Sequence, residues 1–478
     1  MIQNKTIKVF NTHIEIEPYR KGEEHDFEYG LSIWNSHTFK LIPVGYQIQG
    51  NTLFIPRGIS TGYLRSVFKS EITYMRRSDP TETFKAEMTL DPRDEIQVDA
   101  IDFLTEKSKS AKSSILTQFI LQLDTGLGKT YTMIHTIINR GVNAIIITHQ
   151  ELIKKQWYDT FLRATTLTKD DIIDFTGTDT IERYLKSEDK KCHIFLANHQ
   201  TLNSYFKKVG YKGFHDLFKE LKVGIKVYDE AHKFFSNILT IDYYTNTWQS
   251  YYLTATFDRA NPYERIIYKK AFSNAVHYGE NADKDIDPHI LLYVIRYHSS
   301  PTQYDRIHMV GAYGFSSYNF IDYALSEPGR MLPSILEMIL DKVMQYDGKI
   351  LITSPKIESV ERIKDLVENY TDQQVSTIHS GNTKKENEEA RNCNIISSTI
   401  QSIGTGADIK DLRTIINLEP ISYPGLASQL RGRLRKIEGK DSFLFYPLDL
   451  SIPGIDEMFK KILPVMKKKC KEIYYIDT

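Results

Sequence analysis

The sequence predicts an α/β protein in which two successive parallel-sheet domains follow a small β-rich N-terminal domain. Three observations carry that expectation. From residue 89 onwards, short apolar β-branched runs alternate with amphipathic, helix-length segments, the pattern of a parallel sheet covered on both faces. The alternation pauses across 281–330 and resumes from 331, which implies a second sheet. Residues 1–88 carry short alternating segments broken by Gly22, Gly30, Pro43, Gly45, Gly50, Pro56 and Gly58, the punctuation of a small β domain.

In the N-terminal segment, Thr6–Phe10 and His13–Ile16 alternate as strands. Arg57, the run Tyr63–Lys69 with Arg65 inside it, and Tyr74–Arg77 interleave cations with aromatic side chains. Such interleaving suits contact with a nucleic-acid backbone and stacking on bases; a solvated face over a small core produces the same pattern.

Residues 89–280 hold the chemistry. The run Phe119-Ile120-Leu121 leads into Leu123-Asp124-Thr125-Gly126-Leu127-Gly128-Lys129-Thr130, and a helix-forming stretch follows to Arg140. A glycine-rich turn between strand and helix aims backbone N–H groups and the helix dipole at phosphates. Here Thr125, Gly126 and Gly128 form the cradle, although Leu123 stands where the general pattern has a glycine. Lys129 is placed for the β- and γ-phosphates and the Thr130 hydroxyl for Mg²⁺. A second apolar run, Ile225–Tyr228, leads into Asp229-Glu230-Ala231-His232. Asp229 is suited to the metal and Glu230 to taking a proton from an attacking water. The expected strands are Ala144–Thr148, Ile172–Phe175, His193–Ala197, Ile225–Tyr228 and Tyr251–Leu253.

Residues 331–452 repeat the strand–helix alternation without a phosphate loop, so they are expected to complete a site that lies elsewhere. The segment 281–330 is read as a connection, its aromatic residues packing in the core. Residues 453–478 form a basic, helical C-terminal tail.

Composition narrows the function classes. A chain of 478 residues, 41% hydrophobic and 12% aromatic, is globular and too long for one core. Lys+Arg and Asp+Glu both number 61, so any nucleic-acid contact is local and not the work of a broad field. Three scattered cysteines, Cys192, Cys393 and Cys470, fit a reducing compartment and offer no metal cluster. No apolar run is long enough to span a bilayer. A soluble, cytoplasmic protein is the expectation.

In this order the motifs resemble superfamily 2 DNA helicases, specifically the branch with phage UvsW-like helicases, poxviral transcript-release helicases and XPB-type translocases. The resemblance covers residues 90–450 and implies two RecA-like domains with ATP and Mg²⁺ between them. It makes Gln97 the adenine-recognising glutamine. Thr148, Thr201 and Gly404 become DNA-backbone contacts and Asp408 a ribose ligand. His232, Thr254, Thr256 and Gln429 become coupling residues. The segment Gln429–Lys436 resembles the arginine-finger motif, with Arg433 as the finger and Arg435 beside it. A forked, permanently charged guanidinium suits the γ-phosphate of the transition state.

The resemblance implies a DNA helicase or translocase that tracks along a single strand and remodels branched or duplex DNA in recombination, replication or repair, in a phage or virus. A transcript-release or RNA-directed ATPase, and a motor subunit for a partner nuclease, are the competing readings.

Overall fold

The computed structural model describes residues 5–20, 22–23, 30–35, 38–75, 83–110, 117–124, 126–255, 262–279, 288–311, 314–326, 331–404 and 409–478. Two compact units result: residues 1–123 with 127–282, and residues 283–478, with which 124–126 are grouped.

The first unit is built on a seven-stranded sheet whose paired strands all run parallel. Its order is Ile172–Phe175, Ile194–Asn198, Ala144–Thr148, Ile225–Tyr228, Gln249–Thr254, Gln118–Gln122, Val276–Tyr278. Ala144–Thr148 and Ile225–Tyr228 are buried at every position, because a parallel strand between helical layers has no wet face. The helices Lys129–Arg140 and Glu151–Ala164 close one side over Met133, Ile137, Trp157 and Phe161.

The other side of this sheet is covered in part by the N-terminal domain. Its five-stranded sheet has the order Gln47–Gln49, Thr52–Pro56, His13–Glu17, Thr6–Val9, Ile72–Tyr74. Ile7, Val9, Ile14, Ile16, Leu53 and Ile55 share one continuous core with Ile238, Leu239, Tyr252 and Phe272. Polar contacts lock the join: Asn11 Nδ2 donates to the Thr247 and Trp248 carbonyls at 3.2 Å, and the Tyr243 hydroxyl donates to the Gly45 carbonyl at 2.9 Å. The described residues between 5 and 75 are thus an integral layer of the first unit and not a detached appendage.

Beneath this join lies a buried charge pair. Lys226 Nζ stands 2.5 Å from Asp242 Oδ1, and both side chains are almost wholly sequestered. The Tyr228 and Tyr252 hydroxyls donate to the same carboxylate at 2.8 and 2.6 Å. A charge pair out of water is tolerated only when its remaining lone pairs are filled, and here two phenols fill them.

The second unit has its own seven-stranded sheet, again with all pairings parallel. The order is Val375–Ile378, Ile395–Ser398, Lys349–Thr353, Leu412–Asn417, Ser442–Asp449, Ile290–Tyr297, Cys470–Asp477. The two sheets and the β-rich region before them are the tandem RecA-like arrangement expected.

Two boundaries need correction. The segment 281–330 is more than a connection, because Ile290–Tyr297 is an inner strand of the second sheet, paired along its length with Ser442–Asp449. The C-terminal tail is not only helical. After helix Ile455–Lys467, Cys470–Asp477 forms an edge strand on Ile290–Tyr297. Among the described residues no helix is long and apolar enough to cross a membrane.

Candidate nucleotide and nucleic-acid site

The phosphate loop leaves the inner strand Gln118–Gln122 and enters helix Lys129–Arg140. Gly126 and Gly128 have φ of 88° and 85°, left-handed values that a Cβ would strain. At Gly128 an added Cβ would also stand 1.9 Å from Gln97 Nε2. Gln97 is 4% exposed, and its Oε1 accepts from the Arg93 backbone N–H at 2.8 Å. The glutamine expected to recognise adenine therefore packs directly against the loop. Lys129 is buried at the first helical position, and its Nζ donates to the Leu123 carbonyl at 2.8 Å. Thr130 follows on the same turn and is partly exposed. Thr125 lies outside the described residues.

The acidic pair sits at the end of the neighbouring strand Ile225–Tyr228. Asp229 is 7% exposed, and its backbone N–H donates to the Ile147 carbonyl at 3.0 Å. Its Oδ2 accepts from the Trp157 indole at 2.8 Å and its Oδ1 from the Glu230 N–H at 2.9 Å. The motif reading groups Trp157 with the segment that follows Ala144–Thr148 and does not pair it with Asp229. Trp157 is fully buried on the covering helix Glu151–Ala164, and no local pattern ties it to an aspartate on a later strand.

Glu230 has φ 51°, an uncommon value for a side-chain-bearing residue that costs free energy unless its surroundings impose it. Its Oε2 is buried and accepts no hydrogen bond among the described residues. With His232 Nδ1 3.2 Å away, this oxygen keeps accepting capacity, which suits a group that takes a proton.

The electrostatics separate the two acids. Burial and the adjacent Glu230 carboxylate push Asp229 upward, against the Trp157 N–H and Lys129. Burial also opposes ionisation of Glu230, but Lys129, His232, Lys233 and His149 outweigh it and hold this carboxyl below its ordinary range. Glu230 is thereby kept ionised, the state a general base needs. The donor set fits a Mg–nucleotide: a strained loop open to phosphate, a buried lysine, a hydroxyl on the first helical turn and a buried aspartate.

His232 Nδ1 lies 3.1 Å from Thr254 Oγ1 and 3.2 Å from Glu230 Oε2. The Thr254 carbonyl accepts from the Leu123 N–H at 3.1 Å, and the Ala231 N–H donates to the Leu253 carbonyl at 2.8 Å. Two expected coupling residues, His232 and Thr254, are thus in contact with each other, and the histidine also meets the Glu230 carboxylate. Thr256 lies outside the described residues.

Thr148 and Thr201, expected to touch DNA, are 0% and 8% exposed. The Thr148 hydroxyl is committed at 2.6 Å to Asn198 Oδ1, tying together the ends of Ala144–Thr148 and Ile194–Asn198. Of their immediate neighbours, His149 is partly exposed and His199 is 2% exposed. His149 and His199 flank Phe234, which is 46% exposed, with ring centroids 6.1 and 5.6 Å away. Burial, then Lys233, pushes His149 down to about 3, and burial pushes His199 down to about 4. Both rings are neutral at pH 7, so any contact with nucleic acid here is by stacking or hydrogen bonding and not by charge. The sequence offers this cluster only as two strand-end segments and a post-motif phenylalanine.

Arg57 is 4% exposed and its carbonyl accepts from Asn274, so it is not a surface cation for phosphate. Arg65 is exposed on helix Thr61–Phe68.

In the second unit, helix Pro424–Arg431 carries Gln429, partly buried, and ends at Arg431. Arg431 is fully buried and donates to the Val465 carbonyl. Arg433 is partly buried and Arg435 exposed. Gly404 closes helix Ile400–Gly404, and Asp408 lies outside the described residues.

Two family models match. One, described as the type III restriction enzyme res subunit, matches residues 90–259; the other, the helicase conserved C-terminal domain, matches residues 332–438. No curated protein sequence matches the chain. Among solved structures, the chain is similar to a fragment described as an HsdR subunit of a type I restriction enzyme from Vibrio vulnificus YJ016. That likeness has a TM-score of 0.53 at 13% identity, over 80% of this chain and 68% of that one. It is also similar to S. cerevisiae Dbp5 bound to RNA and ADP BeF3, with a TM-score of 0.51 at 14% identity, over 81% of this chain and 94% of that one. Likeness at this identity speaks to fold.

Proposed function

The chain belongs to the superfamily 2 helicases, ATP-hydrolysing enzymes that act on nucleic acid, and from that premise we propose that it is a DNA translocase remodelling branched or duplex DNA. The observation that carries the coupling of hydrolysis to movement is the Glu230–His232–Thr254 chain of contacts. We place the protein in the branch with UvsW-like, transcript-release and XPB-type enzymes, on the motif order and spacing read from the sequence.

In this reading Lys129 leaves the Leu123 carbonyl to neutralise the β- and γ-phosphates. Thr130 and Asp229 would hold Mg²⁺, which would supply charge stabilisation for phosphoryl transfer. Glu230 takes the proton of the attacking water through its Oε2. Arg433 contributes the cation of the transition state. Loss of the γ-phosphate alters what Glu230 contacts, and His232 passes that change to Thr254. Gln97 recognises the base from its seat against Gly128.

DNA is preferred to RNA as substrate in this reading on the motif order of the sequence; the exposed cations of the N-terminal layer, Arg65 and Lys69 among them, suit the phosphates of either. Steady-state ATPase rates with single-stranded DNA, duplex DNA, a four-way junction and RNA test this. Stimulation greatest with the junction supports the reading. Stimulation by RNA far above any DNA overturns it in favour of an RNA-directed ATPase.

A further inference from the structure

One stretch of the N-terminal layer is set apart by its charge. Acids make up 61 of the 478 residues, yet residues 29–70 contain no Asp or Glu and carry Lys40, Arg57, Arg65 and Lys69. With Arg57 buried, the exposed charge of the stretch is wholly cationic. Lys40, Arg65 and Lys69 are exposed and form no ion pair among the described residues.

Within it a two-stranded hairpin, Ser32–Asn35 with Lys40–Pro43, stands apart from the five-stranded sheet. Its base is fixed. Leu31 is buried, its carbonyl accepts from the Val44 and Gly45 N–H groups at 3.1 and 2.7 Å, and helix Pro262–Ala271 packs on the first strand. Gly45 is needed there, because a Cβ would stand 2.8 Å from Ile267 Cγ2. The far end is unlike the base. Phe39 is 76% exposed, Trp34 45% and Ile42 42%. The Thr38 N–H donates to Asn35 Oδ1 at 3.0 Å, and Phe39 takes φ 50°, a costly backbone value for a residue that gains no burial from it.

A rigid base, exposed aromatic rings and the exposed Lys40 beside them, on a stretch of chain without acids, match one class of ligand, a polyanion with flat apolar faces. We propose that this hairpin is a base-stacking pin, with Phe39 and Trp34 meeting the last base pair of a DNA duplex where its strands part. Lys40, on the second strand of the hairpin, holds a flanking phosphate. The proposal rests on the DNA reading above and deepens it, by naming the part of the N-terminal layer that engages a branch point.

The full chain is compared with its Phe39→Ala, Trp34→Ala and Phe39→Tyr variants on forked duplexes of DNA and of RNA, with 2-aminopurine in the last base pair. Fluorescence is read on binding with a non-hydrolysable ATP analogue, and strand separation is read with ATP. Phe39→Ala is expected to slow separation of the DNA fork by roughly 10-fold or more, the scale of removing one base–aromatic stack. It should also abolish the fluorescence change, with Phe39→Tyr close to wild type and single-strand-stimulated ATPase retained. Both residues are exposed, so folding should survive, and ATPase in the absence of nucleic acid checks it.

Separation at the wild-type rate by Phe39→Ala and Trp34→Ala overturns the proposal. So does a parallel fall in single-strand-stimulated ATPase, or a change from dimer to monomer in the variants, which would make the hairpin a contact between copies. If wild type separates no DNA fork, the DNA helicase reading fails, and the pin stands or falls on the binding fluorescence with DNA alone. A response confined to the RNA fork overturns both.

Discussion

His232 Nδ1 touches Thr254 Oγ1 at 3.1 Å while lying 3.2 Å from Glu230 Oε2, so one imidazole spans the Glu230 carboxylate and the threonine at the end of the next strand. A residue that acts only through others should affect communication more than chemistry. His232→Ala and Thr254→Val are expected to keep basal ATPase within about threefold and to abolish most of the stimulation by nucleic acid. The double variant should be no worse than either single one, the mark of one shared interaction. Additive effects would show that the two side chains act separately.

The phosphate loop and the acid make opposite predictions about binding. Lys129→Ala removes the charge that meets the phosphates, so turnover should vanish while the circular dichroism spectrum is unchanged. Glu230→Gln keeps shape but cannot accept a proton. Hydrolysis should fall by roughly 10²–10⁴-fold while fluorescent ATP still binds. If binding collapsed together with rate in Glu230→Gln, the residue would be positioning the metal instead.

How far the sequence discloses this arrangement depends on whether the signal is local. Ala144–Thr148 and Ile225–Tyr228 have the expected bounds, because a buried parallel strand is a contiguous apolar or β-branched run with polar flanks. Ile290–Tyr297 is an equally clear apolar run, yet in the sequence it reads as part of a connection. Its partners are Ser442–Asp449 and Cys470–Asp477, and pairing across such separations leaves no local mark. Cys470–Asp477 is hidden for another reason: at the sheet edge its burial is partial, and its charged and aromatic residues resemble a tail. At the site, Lys129, Asp229 and Glu230 are legible from short motifs. Trp157 beside Asp229 and the burial of Arg57 and Thr148 are not, because each depends on what a different segment places over it.

Glu419 offers a test by pH. It follows strand Leu412–Asn417, and burial pushes its carboxyl up to about 7. A carboxyl raised in the folded state favours folding while protonated in both states. The penalty is absent below the ordinary value of 4.5, grows as pH rises toward 7, and is fully present above it. Glu419→Gln should therefore raise the thermal midpoint at pH 8, by a gain of up to about 3 kcal/mol, and leave it nearly unchanged at pH 4.5. An equal shift at both pH values would mean that the amide acts by shape or hydrogen bonding and not by removing a buried charge.

The shared core also decides what an N-terminal truncation will do. Removal of residues 1–75 would strip Ile7, Val9, Ile14, Ile16, Leu53 and Ile55 from a cluster that includes Ile238, Tyr252 and Phe272. It would also remove the covering layer beside the Lys226–Asp242 pair, which Thr12 and His13 adjoin through the Thr245 carbonyl and the electrostatics of the histidine. Exposing several large apolar side chains at about 1.5–3 kcal/mol each exceeds the margin of most domains. The truncated chain is expected to aggregate or to be devoid of ATPase, even though every nucleotide-binding residue lies downstream. The charge function of this layer is therefore tested by substitution: Arg65→Ala with Lys69→Ala should leave the thermal midpoint and basal ATPase unchanged. Junction binding should weaken, and the slope of log affinity against log salt should fall by about one unit for each phosphate that is no longer neutralised. A soluble truncation with normal ATPase would show that the first sheet is stable without its N-terminal layer, and an unchanged salt slope would remove Arg65 and Lys69 from the DNA interface.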